Sequence, residues 1–307
     1  PELFDFKIRL NYFRRNISNV ISYRTKYLKV DRQNILESSF KQFEKKSKNH
    51  KEEEDSDEEK EEEEEEEDSE NIEWLKSFDV KFKGEEGVNQ GGLTKDWFNK
   101  ISKALFDPET NLFIEKEKTR SYQPNSCSIN YEYFKFAGKI IARMIIEGLN
   151  IEFHLTIPFI KQILYRKISE NDLEYVEPIK YKSFQDILNN DIDNDTINEY
   201  YFEVTKEGSG GREVVELKEN GSQIRVTNEN KKEFFNLISM YYLKDSVKDQ
   251  IDAFCEGFDS IIDHNEIRFF SASEFDILLC GVSKIDINEL RKGIKVKMPY
   301  TDDSPTI

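Results

Sequence analysis

Three cysteines, Cys127, Cys255 and Cys280, and three histidines, His50, His154 and His264, are the side chains with the most chemistry to offer. A thiol beside an imidazole can act as a nucleophile, and mixed sulfur and nitrogen donors can hold a metal ion. No two of the six stand at the short interval of a zinc-ligand pair, and three cysteines make no even disulfide framework. No metal site is therefore expected, and a reducing, intracellular setting is the default. Nucleophile and base meet in space rather than in sequence, which leaves a Cys-His pair open. Each cysteine also has a plain structural reading. Cys280 closes the apolar run Ile277-Leu278-Leu279-Cys280-Gly281, Cys255 follows Phe254 on a helical pattern, and Cys127 sits in the loop Pro124-Asn125-Ser126-Cys127 with no basic neighbour. A thiol buried among apolar side chains is inert.

Two further features invite chemistry. The loop GEEGVNQGG, from Gly84 to Gly92, follows the strand-like Phe78-Asp79-Val80-Lys81-Phe82 and precedes a helix, the layout of a phosphate cradle. It has neither Gly-Lys-Ser/Thr nor G-x-G-x-x-G, and Glu85 and Glu86 would repel a phosphate, so a structural turn is the better reading. The formal charge of −17 belongs almost entirely to residues 52–70, with 16 acidic residues and one lysine, which leaves the rest of the chain at −2. Such a tract has nothing to bury and must stay solvated. It could attract basic proteins, and Ser56 has the acidic surroundings that acid-directed kinases favour. A tolerated loop expansion is the simpler account, because lengthening a surface loop adds little closure entropy.

Around these features the apolar spacing sets out the elements. Phe6, Leu10, Phe13, Ile17 and Ile21 recur at helical intervals, and Ile35, Leu36, Phe40 and Phe43 make a second amphipathic helix. Helices are expected at 93–105, at 133–149 with Gly148 as its cap, and around 156–167, 178–189, 245–262 and 273–280. Tyr200–Thr205, Val214–Leu217 and Gln223–Val226 are short β-prone runs, and Asn220-Gly221 between the last two predicts a type I′ hairpin. Thr227 is placed to cap a helix that carries Phe234, Phe235, Leu237, Ile238 and Tyr241. The fold class is α+β, mainly α. No run of eighteen apolar residues exists, so no membrane span is expected. The start, Pro1-Glu2-Leu3-Phe4, has no initiator Met and no signal-peptide layout, as in a piece of a longer chain.

Several stretches, in order, resemble the HECT family of ubiquitin ligases. Val80 to Phe98, with Gly84-Glu85-Glu86-Gly87-Val88-Asn89-Gln90-Gly91-Gly92 inside it, is similar to the family's signature strand, loop and helix, except that Asn89 stands where Asp is usual. Pro124-Asn125-Ser126, the helix Phe134 to Leu149, Glu216-Leu217-Lys218-Glu219-Asn220-Gly221, Val226 to Phe234, Gln250 with Ala253-Phe254 and Gly257-Phe258, and Leu278-Leu279-Cys280-Gly281 follow the same pattern. The resemblance covers about 28–300 apart from the acidic insertion.

That resemblance implies a HECT N-lobe with a large helical subdomain and a small α/β subdomain that docks a ubiquitin-conjugating enzyme. The implied division is 1–44 for N-terminal helices, 45–71 for a disordered acidic insertion, and 72–168 for the large subdomain. The small subdomain then spans 169–250, a return to the large subdomain and hinge spans 251–283, and a truncated start of the C-lobe spans 284–307. The hinge is Gly281, Val282, Ser283 and Lys284. The docking groove falls on Tyr181, Phe184, Ile187 and Leu188 of one helix, Tyr200 and Phe202 of a strand, and Phe234 of the next helix. Helical spacing means that some of these face inward. Lys180 stands where close relatives carry an apolar residue. The family passes ubiquitin through a C-lobe cysteine in a Thr-Cys-Phe-like context that this sequence lacks, so the chain alone should be inactive, with no catalytic residue, no metal and no cofactor. Expected partners are a ubiquitin-conjugating enzyme, ubiquitin, and protein substrates held by regions outside the chain, with no nucleic acid and no membrane, in the cytoplasm or nucleus. The alternative is a non-catalytic interaction module or pseudo-ligase whose acidic tract recruits basic proteins.

Overall fold

The structure, a computed structural model, describes residues 5–17, 20–43, 71–85, 91–193, 199–208 and 211–281. The acidic tract, the middle of the glycine loop, Val282 to Lys284 of the expected hinge and everything after them lie outside the described residues. The chain runs through α1 (Phe6–Ile17), β1 (Ser22–Val30), α2 (Ile35–Phe43), β2 (Lys76–Phe82), α3 (Gly92–Leu105), β3 (Phe113–Lys116) and β4 (Ser121–Pro124). It continues with α4 (Tyr131–Ile146), β5 (His154–Leu155), α5 (Ile157–Ile163), α6 (Leu173–Val176), α7 (Pro178–Asn189), β6 (Glu203–Gly208) and β7 (Gly211–Glu216). It ends with α8 (Lys231–Leu243), α9 (Lys248–Asp259), α10 (His264–Ile267) and α11 (Ala272–Cys280). Helices dominate and the sheets are small, an α+β architecture that is mainly α.

The main core forms around α4, the most apolar stretch of the chain. Its face of Phe134, Ala137, Ile140, Ile141 and Met144 is buried against α3, α9 and the aromatic pair Trp74 and Phe43, whose rings stack at 3.9 Å. Gly148, at φ 66°, ends the helix as expected: its N–H donates to Ile145 O and that of Leu149 to Met144 O, the paired bonds of a Schellman cap. Gly138 of α4 and Gly257 of α9 sit where these two helices meet backbone to backbone.

Residues 22–30 form a strand that sequence patterning misses. The helical spacing that includes Ile21 stops at Ile17, and β1 pairs in parallel with β2, Leu28 opposite Val80 and Val30 opposite Phe82. Only the end of β1 is buried, so the run reads as polar, and its hydrogen-bonding partner lies some fifty residues downstream. The residues of the glycine loop that are described serve as structure. Glu85 accepts from Arg32 at 2.6 Å and 2.9 Å, and the same guanidinium reaches Asp96 of α3 and covers the Phe82 ring at 3.7 Å. A phosphate would have to compete with carboxylates that already occupy this cation.

Family-like polar residues likewise tie loops to the core. Asn125 donates to the Asn111 backbone at 3.1 Å and to its side chain at 2.6 Å, and accepts from Cys127 N–H at 3.0 Å. Gln250, 5% exposed, donates to Ser128 O at 2.7 Å. Helix α1 packs on the C-terminal end of the described chain, with Phe13 edge-on to Phe270 at 5.4 Å and Arg9 held by Phe269 O and the Glu274 carboxylate. No helix among the described residues is long and apolar enough to cross a membrane.

Candidate functional site

A second, smaller apolar cluster stands apart from the main core, within residues 168–243. Helix α7 begins on Pro178, whose fixed φ and missing N–H suit the first helical position. Its sequence boundaries are as spacing predicts, because Pro opens it and an Asn-rich, apolar-poor stretch closes it. The strands differ from expectation. The β6–β7 hairpin turns at Gly208 and Gly211, whereas Asn220-Gly221 makes a 3-10 turn instead of a type I′ hairpin. The third β-prone run forms no strand and contributes one bridge, Tyr201 to Arg225. The cause is local: Phe202 N–H points at the carbonyls of both Gly221 and Ile224, which folds this run across Tyr200–Phe202. Thr227 is not the cap of α8, which starts four residues later. The Asn230 side chain instead accepts from Thr227 N–H at 2.7 Å.

Phe202 is fully buried, with Phe234 edge-on to it at 5.5 Å and Phe184 edge-on to Phe234 at 6.0 Å. Ile187 (7% exposed), Phe234 (3%), Ile192, Val226 and Ile238 complete a sealed floor. Of the seven groove residues expected from the sequence, the structure brings five, Phe184, Ile187, Tyr200, Phe202 and Phe234, into this one cluster. Phe184 and Tyr200 are half-buried at its rim, whereas Ile187 and Phe234 lie beneath. Tyr181 packs with Phe184 on the neighbouring cluster of Leu173, Val176 and Leu243, its hydroxyl donating to Asn171 at 3.0 Å. Leu188, half-buried, joins neither cluster. Ile179, on the first turn of α7, is 83% exposed.

Asn228, which sequence reasoning passes over, fastens the two helices that frame this patch. It accepts from Ile192 N–H at 3.2 Å and donates to Asp191 at 2.6 Å, while Lys231 reaches Asn190 O at 2.7 Å. Its only sequence signal is an Asn just before a helix, a position such residues favour for many reasons. Lys180, set where an apolar residue was expected, lies 4.2 Å over the Tyr242 ring and bonds Glu177 at 3.2 Å. Glu177 also takes Lys116 of β3 at 2.8 Å, linking the small cluster to the main one. Burial would raise the Glu177 pKa, but the bond from Lys116 and the two ammonium charges hold it below the usual carboxylate value.

Neither Cys255 nor Cys280 is poised for nucleophilic attack. Cys255 lines a cleft of about 680 Å³ yet is 7% exposed, and burial, then Asp259 and Asp252, push its pKa up to about 12. Cys280 donates to Phe153 O at 3.2 Å and lies 3.7 Å from Asp276, and its pKa is raised by burial and by that carboxylate. Cys127 is exposed. Gly281, the one expected hinge residue that is described, follows α11 at φ 80°, a conformation that disfavours any side chain. Just before it, Leu279 O accepts from Ile151 N–H at 2.9 Å and Asn150 at 3.2 Å.

A family model described as HECT-domain (ubiquitin-transferase) matches residues 99–307. The whole chain is 35% identical over 317 residues to the E3 ubiquitin-protein ligase TOM1-like of Neurospora crassa, of which it covers 7%. It is 30% identical over 325 residues to the E3 ubiquitin-protein ligase UPL1 of Arabidopsis thaliana, covering 8% of that protein. Over 310 residues, 98% of the chain, it is 30% identical to the E3 ubiquitin-protein ligase NEDD4 of Rattus norvegicus, of which it spans 32%. The chain thus spans less than a third of the length of each of these relatives.

Proposed function

Because the chain belongs to the HECT family of ubiquitin transferases, we propose that it is the part of a ubiquitin ligase that docks a ubiquitin-conjugating enzyme. The docking surface is the half-buried rim of Phe184 and Tyr200 over the floor of Ile187, Phe202 and Phe234, with Tyr181 beside it on the neighbouring cluster. The supporting observation is the separate small cluster itself: a rigid aromatic floor fixes a few accessible apolar side chains in one place. Such anchors carry most of the energy at protein interfaces. Catalysis by this part is positional. Holding a thioester-loaded enzyme beside a tethered acceptor replaces a bimolecular encounter with an effectively intramolecular one.

Titration of a panel of conjugating enzymes by calorimetry tests the reading. A member of the panel is expected to bind, and Phe184→Ala is expected to weaken it roughly 30-fold, the effect of a hot-spot loss near 2 kcal/mol. Phe234→Ala is the less informative change, since Phe234 is core and its loss disturbs the floor. Binding by no enzyme of the panel, or unchanged affinity for a Phe184→Ala protein with a wild-type melt, defeats the assignment.

The 307-residue chain is also proposed to hold no ubiquitin of its own, given the burial of Cys255 and the packing of Cys280 against Phe153. Mixed with ubiquitin-loaded conjugating enzyme, it is expected to yield no reducible adduct on a non-reducing gel. Iodoacetamide should label Cys127 alone until the protein is denatured. A reducible adduct would overturn this, and serine substitutions at Cys127, Cys255 and Cys280 would locate it.

A further inference from the structure

The fold brings together His154, Asp276 and Cys280, three metal-binding side chains of three kinds, although His154 and Asp276 stand 122 residues apart. His154 comes from β5, and Asp276 and Cys280 lie one turn apart on α11, so both point from one helix face toward the strand. His154 Nδ1 is 3.0 Å from each Asp276 oxygen, Cys280 Sγ is 3.7 Å from Asp276 Oδ1, and all three donor atoms lie within 4.8 Å of one another. Ligands of a tetrahedral zinc ion, at about 2.0–2.3 Å from the metal, stand about 3.3–3.8 Å from each other. The cluster is within a few tenths of an ångström of that spacing on its two measured edges, with the third edge closed by a side-chain adjustment.

The electrostatics favour a cation. Among the described residues, His154 is the only basic side chain seen to pair with Asp276, and an imidazole is no permanent cation. Cys280 is the last residue of α11, at the negative end of the helix dipole. The His154 side chain is 44% exposed and that of Asp276 24%, which gives an ion an entry path. Imidazole, carboxylate and thiolate together suit a borderline-soft divalent ion better than Mg²⁺ or Ca²⁺.

We infer that His154, Asp276 and Cys280 form a binding site for zinc or a similar divalent transition ion, with three protein ligands and water in the fourth position. The ion would join β5 to the last turn of α11, directly beside Gly281, and so stiffen the point at which the chain leaves the helix. The site is independent of the docking surface.

Cobalt(II) titration of the chelator-stripped protein tests it, in a Cys127→Ser background that removes the exposed thiol. Stoichiometric cobalt is expected to give a thiolate-to-cobalt charge-transfer band and the visible bands of a tetrahedral centre, both displaced by Zn²⁺, and Zn²⁺ should raise the melting temperature. Cys280→Ser should abolish the charge-transfer band, and His154→Ala or Asp276→Asn should weaken binding at least about tenfold. Circular dichroism of each metal-free variant checks its fold, and Asp276→Asn, nearly isosteric, serves if Cys280→Ser does not fold. No charge-transfer band, a band that survives Cys280→Ser, or equal affinity in Asp276→Asn would overturn the site.

Discussion

Replacing Gly257 by alanine is expected to destabilise the protein by roughly 3 kcal/mol or more, although alanine is the better helix former by about 1 kcal/mol. On an exposed helix face the propensity term would decide. Here a Cβ on Gly257 would stand on the Lys135 carbonyl, and one on Gly138 would stand on the Phe254 carbonyl, with backbone rather than a flexible side chain in the way. Helices α4 and α9 would have to separate, and the Phe134, Phe254 and Phe258 packing between them would open with them. Urea denaturation of Gly257→Ala and Gly138→Ala measures the cost. A loss below about 1 kcal/mol in both, within the range of ordinary surface changes, would mean that the helix crossing is looser than described.

Arg143 is expected to divide its substitutions sharply. Its side chain is fully buried on α4, with the guanidinium 4.7 Å over the Phe78 ring and Nη2 donating to Lys76 O at 3.0 Å and Glu147 at 2.7 Å. Among the described residues Nε and Nη1 have no hydrogen-bond partner, and burial lowers the pKa against the opposing pull of Glu147. The charge is therefore poorly repaid, whereas the stem fills core volume. Arg143→Met keeps most of the volume, and because the Glu147 side chain is 32% exposed and stays hydrated when left alone, the change is expected to fall within about 1 kcal/mol of wild type. Arg143→Ala should lose about 3 kcal/mol, the usual cost of a large cavity. Equal losses in the two variants, measured by urea denaturation, would show that the guanidinium itself, rather than its packing, is what the site needs.

Much of the helical framework is legible in the sequence because its signals are local. Helix α7 occupies 178–189 as its spacing reads, and Gly148 caps α4 where the apolar run stops. The small cluster was legible by resemblance, but depth within it was not. Phe184 and Phe234 look alike on a helical wheel, and only the position of Phe202 decides that one lies at the rim and the other beneath. Asn220-Gly221 misled for the opposite reason. Its preference for positive φ is real, and Asn220 does adopt φ 54°, but tertiary bonds to Phe202 spend that conformation on a 3-10 turn.

The sequence alone determined where the charge lies, that the rest is nearly neutral and mostly helical, and the ordered motifs that point to one family. These follow from composition and from intervals of a few residues, over which side chains act on their own neighbours. Tertiary structure decided what depends on residues far apart in the chain: the parallel partner of β1, the contact of α4 with α9, and the meeting of His154 with Asp276 and Cys280. The spacing of cysteines and histidines argued against a metal site because spacing reports only ligands carried on one local element. Here a strand and a helix, 122 residues apart and joined through the main core, bring these side chains together.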